Sequence, residues 1–190
     1  TNHFLSVFFR DSLNGIVVGS NDGWSYGIIL RTTDGGTNWN QQTIGIIQPL
    51  TSVYFYDFNH GVAVGYNGLI LKTSDGGLQW EIVQSGTTSA FMDISFSDVN
   101  HGFALGQMDV LSRTSDGGES WYVDYLGTGR EFYSITTIDS NNFYIVDSNI
   151  ILKTTDGGST WHSTNPPFQL SGVCFLNSNI GIAVGSNGIN

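Results

Sequence analysis

Cysteine and positive charge are both scarce in this chain. Cys174 is the one cysteine among 190 residues, so no disulfide can close within the chain. It stands where a repeat-equivalent strand has Tyr54, and a buried, inert thiol is expected there. Only 6 Lys plus Arg oppose 16 Asp plus Glu, a formal charge of -10. Such a balance disfavours nucleic-acid phosphate and anionic lipid as partners. No apolar run approaches the roughly 20 residues that cross a bilayer, so membrane insertion is not expected. The first residues lack the basic-then-apolar layout of a signal peptide, which places any export signal outside the sequence or among segments already removed. Few lysines beside many Ser, Thr, Asn and Gly residues suit an extracytoplasmic protein: secreted, periplasmic or on the cell surface. There is no phosphate-binding glycine loop, HExxH, CxxC or GxSxG, and neither a metal nor a cofactor is expected.

What the chain has instead is repetition. One ten-residue phrase occurs four times: LRTTDGGTNW at 30–39, LKTSDGGLQW at 71–80, SRTSDGGESW at 112–121 and LKTTDGGSTW at 152–161. Its aspartates, Asp34, Asp75, Asp116 and Asp156, are 41, 41 and 40 residues apart. A period near 40 built from several short strands predicts a β-propeller. Within the phrase, Leu-Lys-Thr alternates faces as a strand does. Asp-Gly-Gly then supplies residues that tolerate positive φ, so a hairpin follows. The Asp is expected to accept hydrogen bonds from backbone N–H groups of its own loop, helped by the Thr two residues earlier. Trp39, Trp80, Trp121 and Trp161 are expected to re-enter the next strand and pack on neighbouring ones. A second phrase, Gly-apolar-apolar-apolar-Gly, stands at 15–19, 61–65, 102–106 and 181–185.

The pattern Thr-x-Asp-Gly-Gly-x-x-Trp resembles the Asp-box, or bacterial neuraminidase repeat. Together with the glycine-bounded strands it is most similar to the photosystem II assembly and stability factor-like repeats. The resemblance implies an all-β propeller of four-stranded antiparallel blades, approximately 4–45, 50–86, 90–127 and 131–165, with a half blade at 169–190. About four and a half blades are thus expected as one incomplete domain of a larger propeller, with the remaining blades of the parent chain as neighbours. It also implies three functional readings. The first is a noncatalytic module that holds a protein or glycan partner. The second is a glycoside hydrolase of Asp-box type with part of its site in other blades, and the third a photosystem-type assembly factor.

Catalytic residues are not legible. A sialidase needs an arginine cluster, and Arg31 and Arg113 fall on the repeat strand where Lys72 and Lys153 replace them. Binding candidates come from departures from the repeat. Five extra residues in the first unit bring Trp24 and Tyr26, and loops carry function more often than strands do. Asp93 is the lone acid at a first-strand position otherwise held by Ser6, Ser52, Ser134 and Gly172, either facing the central channel or simply a solvated or hydrogen-bonded acid. His60 and His101 recur with the fold and read as turn residues rather than ligands.

Overall fold

The computed structural model describes residues 2–42, 45 and 48–186. These form four four-stranded antiparallel sheets and one two-stranded sheet. Blade 1 comprises β1 (Asn2–Phe9), β2 (Gly15–Asn21), β3 (Gly27–Thr32) and β4 (Asn40–Gln42). Blade 2 comprises β5 (Leu50–Phe55), β6 (Gly61–Gly65), β7 (Ile70–Thr73) and β8 (Glu81–Val83). Blade 3 follows as β9 (Phe91–Phe96), β10 (Gly102–Gly106), β11 (Val110–Thr114) and β12 (Tyr122–Tyr125). Blade 4 is β13 (Ser134–Thr137), β14 (Phe143–Val146), β15 (Ile151–Thr154) and β16 (His162–Thr164), and the half blade is β17 (Gly172–Asn177) with β18 (Ile180–Val184). Each sheet runs in chain order, and the first strands β1, β5, β9, β13 and β17 lie side by side.

The apolar cores lie between blades, not within them. Ile16, Val18 and Ile29 of blade 1 meet Leu50, Val53, Phe55 and Leu71 of blade 2. Val62, Val64 and Ile70 then meet Phe91, Ile94 and Phe96, and Phe103, Leu105 and Leu111 meet Phe143, Ile145 and Leu152. Alternation explains how one strand serves two cores. On β6, Val62 and Val64 face blade 3 while Ala63 between them faces blade 1, which is why the strand is apolar throughout.

The glycine opening each second strand sits beneath an aromatic ring of the first. A Cβ on Gly61 would lie 2.7 Å from the Phe55 ring, and one on Gly102 would lie 2.6 Å from Phe96. Each of these rings then meets the Asp-box tryptophan of its own blade edge-on, Phe55 against Trp80 at 6.0 Å and Phe96 against Trp121 at 6.2 Å. Blade 4 lacks this glycine, and the ring has changed strands. Phe143 stands at the glycine position opposite Thr137, which occupies the position of the phenylalanine, and Phe143 meets Trp161 edge-on at 5.4 Å.

The expectation for Cys174 is corrected here. It is exposed, because among the described residues the sheet of β17 and β18 packs on blade 4 alone, whereas Tyr54 is half-buried against blade 3. The half-blade residues 187–190 lie outside the described residues.

Candidate functional site

Antiparallel order gives the propeller two distinct rims. The turns between first and second strands share one rim with the Asp-box hairpins, and four backbone bonds tie them: Gly35, Gly76, Gly117 and Gly157 donate N–H to Leu13, Asn59, Asn100 and Asn141 carbonyls. The opposite rim gathers the loops between second and third strands and the connectors between blades. There Tyr66, Gln107 and Leu170 donate N–H to the carbonyls of Pro49, Ala90 and Ser148.

The Asp-box rim is a set of locked hairpins. In the first, Thr32 Oγ1 donates to Asp34 at 2.8 Å while accepting the Gly36 N–H at 3.0 Å, and Asp34 accepts the Asn38 N–H at 2.9 Å. Asp75 repeats this with Thr73 and Gln79, Asp116 with Thr114 and Ser120, and Asp156 with Thr154 and Thr160. The four carboxylates point into four separate loops. Among the described residues no group of His, Cys, Asp and Glu side chains is placed to hold a metal ion. Hydrogen bonds from Asn38 and Thr32 hold Asp34 at about 2, and bonds from Thr160 and Thr154 do the same for Asp156. Both folded values lie below the ordinary 3.8, so these acids add stability that is present above pH 4 and lost as pH falls toward 2. Asp156→Asn keeps an oxygen for Thr154 and the Thr160 N–H and turns its amide to the Thr160 hydroxyl. The variant is expected to melt near wild type at pH 4 and to lose less between pH 4 and 2. Equal slopes in thermal melts of the two proteins would contradict this.

Between hairpins run cationic clasps. Arg31 Nε donates to the Gly76 carbonyl of the next blade at 3.3 Å, Lys72 pairs with Glu119, and Arg113 Nη1 donates to the Gly157 carbonyl at 2.8 Å. Arg10 reaches the Phe58 carbonyl, Arg130 pairs with Asp147 at 2.7 Å, and Lys153 lies over the Tyr144 ring. All six cations of the chain are thereby engaged. His60 and His101 lie on this rim, each with Nδ1 against the aspartate three residues earlier, Asp57 and Asp98.

Asp93 is the tie between three first strands. It accepts from Ser52 Oγ on β5 at 2.8 Å, from Ser134 Oγ and the Ile135 N–H on β13 at 2.9 Å each, and from the Ile94 N–H at 2.9 Å. Burial pushes its carboxyl up, against these four bonds. Of the two roles open to it, the hydrogen-bonded one is what the geometry shows.

The other rim is where the backbone is strained. Among the described residues, four non-glycine residues have positive φ: Trp24 at 58°, Asn67 at 56°, Met108 at 54° and Asp109 at 63°. All lie in loops between second and third strands, and such conformations cost about 1 to 3 kcal/mol each and concentrate at functional sites. The insertion that carries Trp24 lengthens β1 and β2 by the pairs Asn2↔Asn21 and His3↔Ser20, then closes in a turn whose Ser25 and Tyr26 N–H groups are held by Asn21 Oδ1. Trp24 stacks on His3 at 5.4 Å and on Tyr66 of blade 2 at 6.2 Å. It is both a packing residue and a surface one, 42% exposed, while Tyr26 is 56% exposed and Met108 66%. Sequence reasoning missed Tyr66 and Met108. Non-glycine residues at the loop positions where a tight reversal needs φ > 0 were the available signal.

The profile of the photosynthesis system II assembly factor YCF48 family matches residues 1–84 and again 78–187. The chain belongs to that family. No protein of curated function matches it in sequence. Among solved structures, YCF48 bound to a D1 peptide shares 16% identity and superposes with a TM-score of 0.57 over 96% of this chain and 90% of the other. YCF48 from Cyanidioschyzon merolae also shares 16% identity, with a TM-score of 0.70 over 92% of this chain and 60% of that one. The GH74 enzyme of Niastella koreensis shares 14%, with a TM-score of 0.67 over 88% of this chain and 33% of that one. At these identities the structures show a common propeller fold, of which this chain spans less than two thirds of the last two.

Proposed function

We propose that the chain is a noncatalytic, assembly-factor-like module that holds a segment of a partner protein on the rim bearing Trp24, Tyr26, Tyr66 and Met108. The observation that carries this reading is the confinement of all four strained non-glycine residues, among those described, to the loops of one rim, where large apolar side chains stand exposed. Aromatic side chains on a fixed rim offer broad contact at small entropic cost. The reading gains support from a family relative whose structure holds a D1 peptide. The hydrolase reading finds no support at Asp93, whose two oxygens already accept four donors and present no free lone pair to a substrate.

Selection of a displayed random-peptide library on the protein tests this. Enriched peptides are expected to bind wild type and to lose about tenfold or more in affinity, about 1.4 kcal/mol, on Tyr26→Ala with Met108→Ala. Both side chains are exposed, so the melting temperature should hold. Peptides that bind the double variant as well as wild type would place recognition elsewhere.

A further inference from the structure

A second site lies on the opposite rim, at the outer end of the junction between blades 3 and 4. A cleft of 510 Å³ opens there, lined by Tyr122, Arg113, Asp124, His101, Ser140 and Ser159 among others. A second lobe of 410 Å³ continues it past Trp161 and shares Arg113, Asp124 and Ser159. The Arg113–Asp124 pair, 2.5 Å apart, is thus a saddle in the middle of one elongated depression.

This junction departs from its counterparts. Register places Asn40 and Gln42 opposite Arg31 and Ile29 in blade 1, and Glu81 and Val83 opposite Lys72 and Ile70 in blade 2. The same two positions in blade 3 hold Tyr122 and Asp124, opposite Arg113 and Leu111. Leu111 packs into the core shared with blade 4, so this face of β12 looks toward blade 4. Tyr122 leaves 72% of its surface exposed beside the cleft although nothing in the repeat requires an aromatic there.

The lining selects a chemical class. Arg113 is already shared between Asp124 and the Gly157 carbonyl, and Asp156 stands nearby, so an anionic ligand would meet carboxylates and no spare cation. Tyr122 and Asp124 stand on the face of β12 that looks toward blade 4, whereas an extended peptide would add its ladder at the strand's edge. What remains is a flat ring, donors and acceptors side by side in the Arg–Asp pair, and hydroxyls of Ser140 and Ser159. That set matches a ligand with one apolar face and vicinal hydroxyls around its edge. We infer that this cleft binds a neutral oligosaccharide, one sugar ring stacking on Tyr122 and its hydroxyls bridging Arg113 and Asp124, with the second lobe holding the next residue of the chain.

The test is titration calorimetry with cellohexaose, mannohexaose and xylohexaose, on wild type, Tyr122→Ala and Tyr26→Ala. At least one sugar is expected to bind wild type and Tyr26→Ala alike and to bind Tyr122→Ala at least about tenfold more weakly, while thermal melts of all three proteins coincide. Failure of all three sugars to bind at about 10 mM overturns the inference. So does equal binding to Tyr122→Ala, or displacement of a bound sugar from the cleft by a selected peptide of higher affinity. Because Tyr26 and Tyr122 lie on opposite rims, loss of this site leaves the peptide-binding reading standing, and the reverse.

Discussion

Asp93→Ala is expected to be among the most damaging single changes in the protein. Its carboxylate satisfies the backbone N–H groups of Ile94 and Ile135 besides two serine hydroxyls. The hydroxyls can rotate to other partners, but the two N–H groups are fixed by their strands. Leaving each without an acceptor costs about 1 to 3 kcal/mol, so about 2 to 6 kcal/mol in all, a large part of the 5 to 15 kcal/mol by which domains are typically stable. Asp93→Asn separates charge from geometry. Each carboxylate oxygen accepts one backbone N–H, and an amide has one oxygen, so an N–H is left facing an NH2 group at about 1 to 3 kcal/mol. Urea unfolding should therefore rank wild type above Asn above Ala in midpoint with similar slopes. An Asn variant as stable as wild type would mean that Ile94 or Ile135 finds another acceptor.

The second large effect concerns the ring that changed strands. Phe143→Gly should cost at least the roughly 3 to 5 kcal/mol of a Phe→Ala change, because Phe143 packs on both Phe103 and Trp161. Thr137→Phe alone should cost about 1 to 3 kcal/mol by forcing a second ring into the same space. The double variant recreates the arrangement of Phe55 over Gly61 and Phe96 over Gly102. It is expected to be more stable than the sum of the singles by about 2 to 3 kcal/mol. Strict additivity in a double-mutant cycle would show that blade 4 does not share the packing rule of blades 2 and 3.

The repeat made the blades legible, because each ten-residue phrase maps to one strand end, one hairpin and one tryptophan in every copy. The network around Asp93 was legible only as an odd residue in a column of small ones. Its partners Ser52 and Ser134 are 41 residues away on either side, and only the lateral packing of first strands brings them to it. Trp24 was found as an insertion, but its stacking on Tyr66 required knowing how two blades meet. Cys174 went astray for the opposite reason: its counterpart Tyr54 is half-buried against the next blade, and equivalence in the repeat does not carry over to a sheet that, among the described residues, has a neighbour on one side. Tyr122 and Asp124 stood in plain sight as departures from Glu81 and Val83, the first and third residues after each Asp-box.

The engagement of all six cations in clasps reaches beyond stability. With each Lys and Arg held against a carbonyl, a carboxylate or a ring, and a formal charge of -10, an approaching molecule meets a field that is negative from most directions. A partner carrying basic segments would be drawn in faster than diffusion alone allows and would be slowed by added salt, while an acidic one would have to arrive against that field. Charge in this propeller is thus sorted by engagement: the few positive side chains are held by partners within the fold, and the negative ones in excess decide what is allowed to come near.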